Sequence, residues 1–284
     1  MFAAAPARAT SCDALISNVA PVSTIAYDPF DGVSRSTTFE VELKNNGPDA
    51  CSLSIAVASQ NMGNNRYFKD GGNQLRYVVE WTDGDDLPNN INSPRGWFQL
   101  QAGQTKPVAL RVKVPSGLIA PASTYDDTLT LRAYKAGSST QVGPERTAHA
   151  DAIVEARAQV NIAGTSSSHF GSFGVDQIDF HTLTTGETRD AIVQVRATKA
   201  VTISVSSQHA GILQHKVLAS DPGVPYSMRL AGENVILTGP PFSLIRNPPV
   251  SLDGASYPMK LTIGDVAGRP AGTYQDMLTI TVSP

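Results

Sequence analysis

PAGTYQDMLTI, residues 270–280, repeats a stretch that reads PASTYDDTLTL at residues 121–131. The spacing is 149 residues, and seven of the eleven positions are identical. Both copies end in an alternating run, Leu129 and Leu131 in one and Leu278, Ile280 and Val282 in the other, which is the signal of a half-buried strand. Beyond these runs the two copies diverge. After Leu131 the chain turns through KAGSSTQVG, residues 135–143, and returns as an apolar alternating segment near Val154. After Ile280 it runs only to Pro284. One domain type therefore occurs twice, and the second copy is expected to lack its last strand.

Period two governs most of the remaining sequence. In the first half it marks Thr38–Lys44 (TFEVELK), Cys51–Val57 (CSLSIAV), Leu75–Trp81 (LRYVVEW) and Val108–Val114 (VALRVKV). The intervening NNGPD, NMGNN, TDGDD and NNINSPRG stretches carry the Asn, Asp, Gly and Pro that turns demand. In the second half Ala191–Arg196 and Val201–Val205 match the first pair of strands. Ala50–Ile55 falls on Ala200–Val205 at an offset of 150, and Met259–Ile263 falls near the Val108 strand. The expected fold is all-β, with two tandem immunoglobulin-like sandwiches, the C-terminal one lacking its final strand. At the junction every even position is apolar, from Ala150 through Ala152, Val154, Ala156, Ala158 and Val160 to Ile162. One extended strand is expected to close the first domain and open the second, coupling them stiffly in the absence of a Gly/Ser linker. The expected divisions are 1–9, 10–155 and 156–284.

Composition narrows the function. Hydrophobic residues make up 41% and charged residues 17% of the 284, with a formal net charge of −3 and no basic run. Nucleic acid binding has no electrostatic footprint here. No apolar stretch reaches the ~18 residues of a spanning helix. Cys12 and Cys51 are either two reduced core thiols or a disulfide; the second implies an oxidising compartment and contributes about 4 kcal/mol of loop entropy. MFAAAPARA ends in the small-x-small pattern Ala-Arg-Ala. Residues 1–9 thus read as the tail of a signal peptide, with an ordinary terminus as the alternative.

A sandwich short of a strand exposes what that strand would cover. Leu278, Ile280 and Val282, with Val160 and Ile162, would border a groove beside an unpaired edge. Such an edge invites aggregation unless another chain supplies a strand.

Several of these residues resemble a known family. Cysteines before the first strand and at the second hairpin, FGSFG at Phe170–Gly174, and the terminal GTYQDMLTITV are similar to the spore coat protein U domains of archaic (Csu-type) chaperone–usher pili. The likeness is best from about Gln159 to Pro284. The second domain departs from it in having no cysteines, with Val201 standing where Cys51 aligns. The resemblance implies secretion through the periplasm, a periplasmic pilus chaperone, an outer-membrane usher, and an adjacent pilin subunit joined by donor-strand complementation. A shaft subunit would carry an alternating donor segment before its first cysteine. Only Thr10 and Ser11 lie between the expected cleavage site and Cys12. The expectation is therefore a two-domain tip adhesin at the cell surface, an N-terminal receptor-binding domain followed by a pilin domain, that attaches cells to surfaces or host ligands and promotes biofilm. The alternative is a secreted coat or minor shaft protein without a receptor.

Catalytic signatures are missing. His149, His169, His181, His209 and His215 show no metal-ligand spacing, and no HExxH, CxxC or GxSxG occurs. Asp83-Gly84-Asp85-Asp86 lacks the ligand pattern and distal Glu of a calcium loop. No enzyme activity and no cofactor are expected. Candidate ligand-binding loops are the Lys44–Ala50 turn (Asn45, Asn46), the Thr82–Gly96 segment with its neighbour (Leu87, Trp97), and Lys135–Gly143 (Ser138, Ser139, Gln141). The turn and the last loop should share one end. Tyr67 with Phe68, Trp97 with Phe98, and Tyr27 with Phe30 are aromatic pairs open to either a surface or a core role. Tyr125 and Tyr274, equivalent in the repeat, read as structural.

Overall fold

A computed structural model of the chain describes residues 12–61, 65–164, 170–171 and 177–284, and among these no helix occurs. Residues 1–9, His169 and Ser172–Gly174 of the FGSFG stretch lie outside the described residues. The chain divides into two compact units, Met1–Glu155 and Ala156–Pro284.

Unit 1 has ten strands: β1 (Ala14–Val19), β2 (Ile25–Tyr27), β3 (Arg35–Asn45), β4 (Cys51–Ser59), β5 (Arg66–Asp70), β6 (Asn73–Trp81), β7 (Arg95–Leu100), β8 (Thr105–Val114), β9 (Ser123–Lys135) and β10 (Gln141–Val154). One layer runs β1-β3-β8-β6. The other runs β7-β4-β9-β10-β2, with β10 and β2 parallel, and β5 links the layers through β6 and β9. The alternating residues behave as their period demands. Phe39, Val41 and Leu43 of β3 meet Leu53, Ile55 and Val57 of β4 and Leu129 and Leu131 of β9 in one core. Cys12 and Cys51 are joined in a disulfide, which ties the lead into β1 to the start of β4.

Unit 2 contains β11 (Ala158–Ala163), β12 (Thr188–Ala197), β13 (Val201–Ser207), β14 (Ile212–His215), β15 (Val224–Leu230), β16 (Glu233–Val235), β17 (Phe242–Arg246), β18 (Ala255–Ile263), β19 (Tyr274–Gln275) and β20 (Leu278–Ser283). One sheet runs β11-β12-β18-β15-β14-β19, and β17-β13-β20 forms the other. Several pairings have their forerunners in unit 1. β11 on β12 repeats β1 on β3, β12 on β18 repeats β3 on β8, and β15 on β18 repeats β6 on β8. β13 lies between β17 and β20 as β4 lies between β7 and β9.

A buried polar knot is duplicated too. The Asp127 carboxylate accepts from Ser59 Oγ at 2.5 Å and Tyr77 OH at 2.6 Å. Asp276 accepts from Ser207 Oγ and Tyr226 OH, both at 2.5 Å. Burial pushes both tyrosines well above the usual phenol range. Tyr125 OH donates to the carbonyl of Pro121 at 2.7 Å, and Tyr274 OH to that of Pro270 at 2.9 Å. Both repeat tyrosines are structural, as expected.

Two sequence readings change, and one left open is resolved. Val57 pairs with Leu131, and Val205 pairs with Ile280. The strands therefore match at an offset of 148, and Val201 stands at Leu53, not at Cys51. A slip of two residues keeps every side chain on its face, so alternation alone could not detect it. The junction strand is not continuous, since β10 ends at Val154 and β11 starts at Ala158. Tyr27 is not a surface residue: it is 1% exposed, and its hydroxyl donates to the Leu118 carbonyl at 2.9 Å and accepts from the Leu118 amide at 3.0 Å.

Candidate functional site

The duplication isolates one difference. In unit 1, β10 pairs antiparallel with β9 from Gln141 to Val154 and lays Ala148, Ala150, Ala152 and Val154 into the core. It also runs beside β1, where Arg146 Nε donates to the Ile16 carbonyl at 3.1 Å. Neither β10 nor β2 has a counterpart among the described residues of unit 2. There β20 bonds to β13 on one side, from Thr202 opposite Ser283 to Ser207 opposite Leu278. Among the described residues no strand pairs with its other edge. β11 likewise pairs only with β12.

The difference shows in the burial of matched side chains. Leu129 and Leu131 are 0% exposed, whereas their counterparts Leu278 and Ile280 are only partly buried, as is Val282. Ile16, opposite Leu43, is 0% exposed; Val160, at the matching place opposite Val195, is 36% exposed. Ile162 is partly buried. Leu278, Ile280 and Val282 on β20 and Val160 and Ile162 on β11 thus border the place that β10 fills in unit 1. A row of free backbone donors and acceptors with a half-covered apolar stripe is what β-strand addition requires.

The lead into β20 is firmly held. Asp276, two residues before β20, also accepts the His209 amide at 3.0 Å and lies 2.9 Å from His209 Nδ1. His215 is buried, accepts the Val217 and Leu218 amides at Nδ1, and packs edge-on against Tyr274. Both histidines belong to the scaffold. The pattern Ile55-x-Val57-x-Ser59-Gln60 recurring as Ile203-x-Val205-x-Ser207-Gln208 is the sequence signal that would have revealed the knot and the register.

The candidate ligand-binding residues of unit 1 are brought together only in part. The hairpin tip between β9 and β10 is tied to β4 by the Ala136 amide donating to the Ser52 carbonyl at 2.9 Å. Asn45, Asn46 and the tip therefore share the end of unit 1 opposite Val154. Ser139, Gln141 and Asn46 are exposed, and Ser138 is half-buried and caps the tip through Thr140. Asn45 is 0% exposed: its Nδ2 donates to the Asp49 and Gln101 carbonyls and its Oδ1 accepts the Gly47 amide, so it serves the turn rather than a ligand. Leu87 is 3% exposed, and the carbonyls of Leu87 and Pro88 accept from the buried Arg66 guanidinium, which burial pulls down to about 10. Trp97 is 68% exposed and stands beside Gly137 of the hairpin tip, while Phe98 packs against the core. Phe68 is core, Tyr67 half-buried and Phe30 half-buried. Asp83, Asp85 and Asp86 lie exposed on the segment after β6, beside an open cleft of about 680 Å³.

No protein-family model and no curated protein matches the chain by sequence. Its fold is shared with a solved chain, and two further solved structures are similar at lower scores. One chain of the CsuC–CsuE chaperone–tip adhesion subunit pre-assembly complex, from the archaic chaperone-usher Csu pili of Acinetobacter baumannii, is 13% identical with a TM-score of 0.51, covering 94% of this chain and 100% of that one. The CupB6 tip adhesin of Pseudomonas aeruginosa is 11% identical with a TM-score of 0.41, covering 96% and 95%. CfaE, the adhesive subunit of the CFA/I fimbria of enterotoxigenic Escherichia coli, is 16% identical with a TM-score of 0.37, covering 82% and 81%.

Proposed function

We propose that the chain is a non-enzymatic subunit of a chaperone–usher pilus, placed at its tip. Unit 2 is the pilin domain and accepts a donor strand from the next subunit. Unit 1 is the adhesin domain and carries attachment to a surface or host ligand, and with it biofilm formation. Before assembly a periplasmic chaperone covers the groove, and an outer-membrane usher exports the subunit to the cell surface.

The observation that carries this reading is the free edge of β20, with Leu278 and Ile280 half-covered where Leu129 and Leu131 are sealed by β10. Five apolar side chains border the groove. Burying each fully contributes roughly 1.5–3 kcal/mol, so covering the exposed half of five contributes about 5 kcal/mol before the donor's own side chains are added. Backbone pairing along β20 adds affinity, and the fit of alternate side chains into the groove sets the register. The fold shared end to end with a chain from a chaperone–tip adhesion subunit complex supports the same assignment.

The test is co-expression with the cognate chaperone. The chain should co-purify with it, and fusing an alternating apolar strand after Pro284 should abolish the association. A stable monomer that ignores the chaperone would refute the reading. Deleting residues 10–155 separates the tip role from a coat or shaft role: adhesion should vanish while unit 2 still enters fibres.

A further inference from the structure

We infer that the cleft on unit 1 floored by Trp81 and Phe98 is the receptor site, and that its ligand is a saccharide. This rests on the reading of unit 1 as the adhesin domain and names its ligand class. The cleft, about 680 Å³, is of the size that small-molecule sites occupy. Its floor is aromatic: the rings of Trp81, at the end of β6, and Phe98, on β7, meet at 5.4 Å between centroids. Gly96 keeps that floor in place. It has φ +79, and a Cβ there would lie 2.6 Å from the Phe98 ring and 3.2 Å from that of Trp81.

Polar groups reach the cleft from three separate segments. Asp83, Asp85 and Asp86 come from the turn after β6, Arg95 from β7 and Lys106 from β8. Among the described residues none of these five charges makes an ion pair. Lys106 instead sits over the Phe98 ring, 5.9 Å from its centroid. The turn itself is held from below: the Leu87 amide donates to the Val79 carbonyl at 2.8 Å and the Trp81 amide to that of Asp85 at 2.9 Å.

This mixture selects a chemistry. An apolar ligand would desolvate five charges and give them no partner. An anionic one would meet three carboxylates, and a polycation would meet Arg95 and Lys106. A neutral polyol with one C–H face satisfies both halves. Its hydroxyls donate to the carboxylates and accept from Arg95 and Lys106, while its C–H face lies on the aromatic floor. A mono- to disaccharide fits the volume.

The chain's two tryptophans, Trp81 and Trp97, supply the assay. Full-length Trp97→Phe protein, with Trp81 as its only indole, is applied to a printed array of neutral and sialylated oligosaccharides. The strongest binder is then titrated against Trp81 emission. A neutral glycan should bind and change that emission saturably. Asp85→Asn combined with Asp86→Asn should weaken binding at least tenfold, and Lys106→Gln should weaken it severalfold. Asp85 and Asp86 lie exposed, so the melting temperature of the double variant should not move. Failure of every glycan to bind, or unchanged affinity in the double variant, overturns the inference. So does binding lost on Trp97→Ala but kept in the cleft variants. If fibres carrying the subunit still adhere while no glycan binds, the saccharide falls and the adhesin reading stands. If a glycan binds but the chain never enters fibres, the adhesin reading falls instead.

Discussion

Truncating one leucine at matched places in the two units gives a direct measure of how much a strand beside β20 matters. Leu129 is 0% exposed beneath β10, so Leu129→Ala removes a full side chain and leaves a cavity. Such changes cost about 2–5 kcal/mol, and about 3 kcal/mol is expected for unit 1. Leu278 occupies the same place on β20 but is only partly buried. Leu278→Ala loses about half of the transfer energy and opens no closed cavity, so about 1 kcal/mol is expected for unit 2. Once an alternating strand is fused after Pro284, Leu278 is sealed, and its truncation should then cost about 3 kcal/mol as well. Urea unfolding separates the units, because Trp81 and Trp97 both lie in unit 1 and report its transition alone. Peptide-resolved hydrogen exchange against urea tracks unit 2. The Leu129 variant should lower the fluorescence midpoint by about 1 M or more. Equal costs at Leu129 and Leu278 in the chain alone would refute the reasoning, as would a Leu278 cost that the fused strand leaves unchanged.

Three further outcomes are expected. Gly272→Ala should destabilise unit 2 by about 1–3 kcal/mol, because the new Cβ would lie 2.0 Å from His215 Nε2, while Ser123→Ala at the matching position should be tolerated within about 1 kcal/mol; differential scanning calorimetry of both decides. Reducing the Cys12–Cys51 bridge should lower unit 1 stability by about 4 kcal/mol and leave unit 2 untouched, read by tryptophan emission and by exchange in unit 2 peptides. Alkaline pH should unfold the chain. Burial raises Tyr125 to about 12 and holds Tyr27, Tyr77 and Tyr226 above the ordinary value of 10.0. A raised folded value means the native state keeps protons that the unfolded state releases. The contribution is intact below pH 10.0 and is lost as pH rises toward 12 and beyond. Phenolate absorbance at 295 nm should therefore rise later in the native chain than in urea; coincident curves would contradict it.

Much of the fold is legible because strands sealed on one face write period two into the sequence. Thr38–Lys44, Val108–Val114 and the two Tyr-containing repeats are readable for that reason. Register is not, because a two-residue slip of Cys51–Val57 against Val201–Val205 leaves the alternation intact. The shared Ile-x-Val-x-Ser-Gln fixes it through polar residues, Ser59 and Ser207, which reach the buried carboxylates of Asp127 and Asp276. The junction misleads for a related reason. Glu155, Ala156 and Arg157 continue the alternation but leave the ladder, since an apolar period states which face is inward and not whether a partner strand is present. Asn45 and Leu87 mislead because turn residues look exposed in sequence, whereas these two fold back beneath their own loops. The unpaired edge of β20 is legible as a difference between two copies of one motif.

Amide exchange along β20 tests the central claim most directly. In the chain alone, the amides of Leu278–Ser283 that do not bond to β13 should exchange as freely as an open edge allows, while those of Leu129 and Leu131 in β9 stay protected beneath β10. With a fused strand, or in the chaperone complex, those β20 amides should become protected by about a hundredfold or more. Protection of the free edge in the isolated chain equal to that of β9, or no gain when the strand is supplied, would contradict the account.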